Sequence, residues 1–115
     1  MRLITGLDSS SKQLITITTE DNFTFQLLLT YSTNRQGWFW SLAYNDFAVN
    51  NCRLNIGPNI LHRYKYALPF GLVCVSEEPK AVNPYRLDDL ESGRIKLYSL
   101  SAAETLQIET DFYGQ

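Results

Sequence analysis

Phe23, Phe25, Leu27, Leu29 and Tyr31 stand at every second position, with Thr24, Gln26 and Thr30 between them. A side-chain period of two is the geometry of a pleated strand, one face apolar and the other wet. This alternation is the dominant signal in the chain, and it restricts the fold to one built from strands. The preceding stretch, Gln13 to Thr19, is short and β-branched, and Glu20-Asp21-Asn22 between the two is a turn-forming cluster. Residues 13–31 therefore read as a hairpin.

Further strands follow between turn signals. Thr33 to Gly37 reads as a turn in which Gly37 supplies a positive φ, leading into a strand from Trp38 to Tyr44. Asn45-Asp46 turns the chain before two short strands, Phe47–Val49 and Cys52–Ile56. Gly57-Pro58-Asn59 breaks the ladder, because proline cannot donate to it. Residues 60–70 fit neither period and read as an irregular crossing ending at Leu68-Pro69-Phe70-Gly71. Leu72–Val75 is a short strand, and Ser76–Tyr85 is the longest loop. A helical turn near 86–92 ends at Gly93. Arg94–Leu100 alternates basic and apolar residues as a strand with one wet face. Ser101-Ala102-Ala103-Glu104 suits a helix start, whereas Leu106, Ile108 and Phe112 equally suit an extra strand or an extended arm. The expected fold is all-β: a small antiparallel sandwich or partly open barrel of about seven short strands. It forms one domain over 1–100, and 101–115 is a C-terminal extension or arm.

At 115 residues the chain has room for one core. Ten basic and 12 acidic residues and a pI near 5.3 lack the basic excess that phosphate neutralisation demands, so no nucleic-acid partner is expected. The N-terminus alternates rather than forming an apolar block, which argues against a secretory signal, and no run is long enough to span a bilayer. Without secretion, Cys52 and Cys74 are expected as free, buried thiols, and the Asn22-Phe23-Thr24 triplet carries no glycan.

Catalytic material is sparse. His62, the single histidine, neighbours Arg63 and Lys65, and no nucleophile elbow accompanies it. It reads as an exposed or satisfied loop residue. One histidine and two distant cysteines are too few for a transition-metal site. Asp88, Asp89 and Glu91 lack the alternation of a calcium loop and read as a solvated turn. No cofactor is expected, and the chain is not expected to be an enzyme; a small hydrolase or isomerase using His62, Asp88 or Asp89 ranks last.

Trp38 and Trp40 share a strand face and Phe39 takes the other, so both faces must be covered. Seven tyrosines and two tryptophans supply large apolar area with a polar handle, which suits a contact surface. The candidate interface residues are Trp38, Phe39, Trp40, Tyr44, Leu106, Ile108, Phe112 and Tyr113. The alternative is a β-sheet module that stacks carbohydrate or single-stranded nucleic acid on Trp38 and Trp40.

The order of several pieces carries a resemblance. After the 13–31 hairpin come Tyr31-Ser32-Thr33-Asn34-Arg35-Gln36-Gly37-Trp38, then Leu54 to Leu61 and Leu68-Pro69-Phe70-Gly71-Leu72-Val73-Cys74-Val75. Asn83-Pro84-Tyr85-Arg86-Leu87-Asp88-Asp89-Leu90 and Arg94 to Tyr98 complete the set. Over residues 13–100 this resembles the cyanophage baseplate plug-like family of small tailed-bacteriophage proteins. The resemblance implies a structural, non-enzymatic virion protein of the tail baseplate or central hub, assembled in the host cytoplasm, that helps close the tail tube above the spike. It implies hub, tube or spike proteins as partners, several copies in a symmetric assembly, and no membrane. The segment 101–115 and the density of aromatics at 38–40 depart from the family pattern. Leu106–Phe112 is expected to dock on a neighbour by strand addition, so that deleting 101–115 spares folding and abolishes assembly.

Overall fold

The alternating segment is the second strand of a four-stranded sheet. A computed structural model describes residues 1–77 and 83–113. Its elements are β1 (Arg2–Leu3), β2 (Lys12–Thr18), β3 (Thr24–Ser32), β4 (Gly37–Tyr44), β5 (Phe47–Arg53), β6 (Gly71–Ser76), β7 (Ile95–Leu100) and α1 (Ala102–Tyr113). One sheet has the order β2-β3-β4-β5, the other β1-β7-β6, and all pairings are antiparallel. The two sheets form a sandwich, without closure into a barrel.

The period of two translates directly into burial. Phe25, Leu27 and Leu29 of β3 are buried while Thr24 and Gln26 face water. Registers Leu27↔Leu42 and Leu29↔Trp40 continue the same face onto β4. Leu72 and Cys74 of β6 and Ile95 and Leu97 of β7 meet it from the other sheet. Complete burial of each such aliphatic side chain contributes about 1.5–3 kcal/mol, so the facing rows are the main source of stability. The irregular crossing between the sheets adds Leu61, Leu68 and Phe70, the last stacked on Phe25 at 4.2 Å. A single 3₁₀ turn, His62–Tyr64, is its regular part.

Several local expectations change. Gln36, not Gly37, takes the left-handed conformation, at φ 49°. Gly37 instead lies beneath the Arg53 guanidinium, whose flexible tip would have to shift from a Cβ placed 2.6 Å away. The two pieces expected at 47–49 and 52–56 are one strand, β5, kinked by a register shift opposite Trp40 and Leu42 with Asn51 at φ 55°. Residues 86–93 form hydrogen-bonded turns rather than a helix, ending at Gly93 with φ 84°. Arg94 is buried instead of lying on a wet face. The middle of the 76–85 loop, residues 78–82, lies outside the described residues.

The open question at the C-terminus resolves as a helix, and its cause is local. Ser101 Oγ accepts the Glu104 N–H at 3.3 Å, and Glu104 Oε1 accepts the Ser101 N–H at 3.0 Å. This reciprocal capping box satisfies two orphan donors of the first turn. Asp21, from the β2–β3 turn, accepts the Ala102 N–H at 2.9 Å, which lowers the pKa of its carboxyl. The expected strand at Leu106–Phe112 is therefore a helix in this structure, with its backbone bonds already made within α1.

Candidate interaction surface

β4 places the aromatic triplet. Trp38 and Trp40 project into the sandwich and are 0% and 3% exposed. The Trp38 indole N–H donates to Arg86 O at 3.0 Å, and Tyr31 packs edge-on against its ring while bonding Tyr85 O at 2.8 Å. Trp40 meets the edge of Tyr64. Phe39, on the opposite face, lies beneath two guanidiniums, Arg35 at 5.0 Å and Arg53 at 5.5 Å from its centroid. Both faces are thus covered from within the chain, and neither indole offers a face on which a sugar or base could stack. Tyr44 is half-buried, edge-on to Phe70 and Phe23.

α1 brings the other four residues to the surface, and its side chains are distributed against the usual rule. A surface helix normally turns its apolar stripe inward. Here the buried positions are Thr105 and Glu109, while Leu106 is 65% and Phe112 64% exposed. Ile108 is half-buried and Tyr113 partly exposed.

A polar clamp holds the helix down. Glu109 Oε2 accepts Asn59 Nδ2–H at 3.0 Å, Oε1 faces His62 Nδ1 at 2.5 Å, and Lys65 Nζ lies 3.6 Å away. The His62 ring stacks on Tyr113 at 3.8 Å, and the Tyr113 hydroxyl donates to Asn59 O at 3.2 Å. Asn59 Oδ1 in turn accepts the Leu61 and Leu72 N–H groups. Gly71 makes the close approach possible, since a Cβ there would meet Asn59 Oδ1 at 2.9 Å and Thr105 Oγ1 at 3.1 Å. His62 is therefore a satisfied histidine. Among the described residues no hydroxyl or thiol is hydrogen-bonded to it.

Beside the clamp an apolar groove of about 320 Å³ opens between α1 and the crossing, lined by Tyr66, Leu68, Pro69, Ala102 and Leu106. Tyr66 at its rim is 89% exposed. Glu104 and Asp111 give the helix an acidic character, and it contains no basic residue.

The acidic turn is not a solvated one. Asp89 is fully buried and holds Arg94 through two contacts, Nε to Oδ1 at 2.8 Å and Nη2 to Oδ2 at 2.6 Å. It also accepts the Tyr85 and Arg86 N–H groups. Burial alone would raise its pKa, but Arg94 and the two N–H bonds outweigh that and hold it at about 2. The cysteines are both free. Cys52 is half-buried rather than buried, and burial pushes the Cys74 thiol up to about 12. No group of three or more metal-ligating side chains occurs among the described residues, and no helix among them is long and apolar enough to cross a membrane.

Asn59 and Glu109, which join the helix to the body, carry no signal in the sequence: one reads as a strand breaker, the other as an ordinary helix acid. A family model described as cyanophage baseplate Pam3 plug gp18 matches residues 1–102. No curated protein matches the chain. The matched stretch contains both sheets and stops where α1 starts.

Proposed function

The chain belongs to the cyanophage baseplate Pam3 plug gp18 family, and on that premise we propose that it is a structural component of a phage tail baseplate that acts through contacts with neighbouring proteins and catalyses no reaction. The family match implies the virion tail as its place. The observation that supports the contact role is the inverted helix: Leu106 and Phe112 stand in water while Glu109 is buried. Leu106 lines the groove beside α1, opposite the exposed Tyr66, and an exposed apolar patch of this kind marks an interaction site.

The contact surface comprises Leu106, Ile108, Phe112 and Tyr113, with Tyr66 at the groove rim. The partner surface that fits it is apolar, with a basic group facing Asp111; the Glu104 carboxylate already holds the Met1 ammonium and the Ser101 N–H. Trp38, Phe39 and Trp40 serve this surface indirectly, by fixing the body on which α1 rests.

Complementation of a phage lacking this gene tests the proposal. The double variant Leu106→Glu/Phe112→Glu is expected to keep the wild-type melting temperature, since both side chains are already solvated. It is expected to be lost from purified virions measured by mass spectrometry. Normal incorporation of that variant overturns the assignment of the surface.

A further inference from the structure

A sandwich that is not closed leaves four sheet edges, and three of them are blunted. β1 is two residues long. β6 is covered by the 57–60 segment, through paired bonds between Gly57 and Cys74 and the Ile60 N–H bond to Leu72 O. β5 is interrupted by its bulge, with Asn51 in the left-handed region. Short strands, cover and bulges are the devices by which edges avoid pairing with another chain.

β2 is neither short nor bulged, and its cover is slight: the N-terminal segment reaches it only at its end, through Arg2 on Thr18 and Met1 on Glu20. It runs seven residues without a bulge or proline. Thr19 N–H bonds Phe23 O and Tyr31 N–H bonds Ser11 O, so the odd-numbered residues of this hairpin face β3. By antiparallel geometry, the even-numbered residues Lys12, Leu14, Thr16 and Thr18 aim their N–H and C=O groups outward. Leu14 is 62% exposed in the middle of that row. A groove of about 400 Å³ separates this edge from the 2–5 segment, and a single side chain spans it, Arg2 Nη1 donating to Thr18 O at 3.1 Å.

We infer that β2 pairs with β2 of a second copy of this chain, antiparallel about a two-fold axis at Thr16, joining two four-stranded sheets into one of eight. Among the described residues no other edge is left open to receive β2, so a contact between copies through this edge is self-complementary. Charge selects the register. With Thr16 opposite Thr16, Leu14 meets Thr18, and the Lys12 side chain lies nearest Glu20, the first turn residue beyond β2, twice over. Registers centred one residue or two toward Leu14 remove that pair. Lys12 makes no ion pair among the described residues, and Glu20 engages the Met1 ammonium through Oε1 alone, at 2.9 Å. The partner strand displaces the Arg2 contact to Thr18 O. This inference does not depend on the family assignment.

Sedimentation of the purified full chain over a concentration series reads the outcome. The wild type is expected to dimerise reversibly. Lys12→Glu is expected to weaken the dimer, and Lys12→Glu/Glu20→Lys to restore it, both being surface changes that leave the core intact. Thr16→Pro removes one outward donor without touching the β2–β3 ladder and is expected to abolish the dimer. A wild type that stays monomeric throughout overturns the inference, as does a dimer indifferent to Lys12→Glu.

Discussion

Asp89 and Arg94 are both withdrawn from water, so each depends on the other. Removing one partner of such a pair leaves an uncompensated buried charge and typically costs about 3–5 kcal/mol. Arg94→Met is expected to destabilise the fold by about that much, measured by urea unfolding. The pair also sets the acid limit. The folded-state carboxyl of Asp89 is held at about 2, below the usual value of about 3.9 for an unfolded aspartate. Its contribution is therefore complete above pH ~4–5 and lost as pH falls toward ~2, on the order of 2–3 kcal/mol in all. Asp89→Asn is expected to flatten the stability curve across that window. None of this was legible beforehand. Two adjacent acids in a turn look solvated, and only the fold brings Arg94, five positions on, into register with one of them. The alternation of β3 was legible because side-chain burial there follows the pleat and nothing else.

At the scale of elements, strands and helix differed in how much they disclosed. The β2–β3 hairpin and β4 lie near their expected places because period and turn residues agree. α1 stayed ambiguous for a physical reason: its buried positions are Thr105 and Glu109, so the apolar residues trace no inward stripe to recognise. What decides it is the capping box at Ser101 and the clamp on Glu109. Glu109→Ala strands the Asn59 amide and His62, and an unmet buried polar group costs about 1–3 kcal/mol. The expected result is selective loss of amide exchange protection in 102–113, with β3 and β4 still protected. Uniform loss across both sheets would show instead that the helix is integral to the core.

The whole molecule has a Cα radius of gyration of 13.4 Å, against about 13 Å for a compact chain of this length. α1 therefore lies against the body rather than trailing from it. Yet no residue of α1 belongs to the apolar cluster shared by the two sheets. A chain ending at Ser101 is accordingly expected to unfold in one transition with the tryptophan emission of the full chain, because Trp38 and Trp40 keep their surroundings. A shifted emission or a broadened transition would contradict this. Strand spacing narrowed the class to a sandwich or a partly open barrel; the pairing of β1 with β7 was not legible, since two residues carry no period.

The polar clamp has a thermal consequence. Heat capacity rises when apolar surface meets water and falls when polar surface does. Lifting α1 uncovers a carboxylate, an amide and an imidazole together with the Tyr113 ring. Its release is thus expected to change the heat capacity less per residue than unfolding the apolar sandwich beneath it, so that its docking equilibrium varies more gently with temperature.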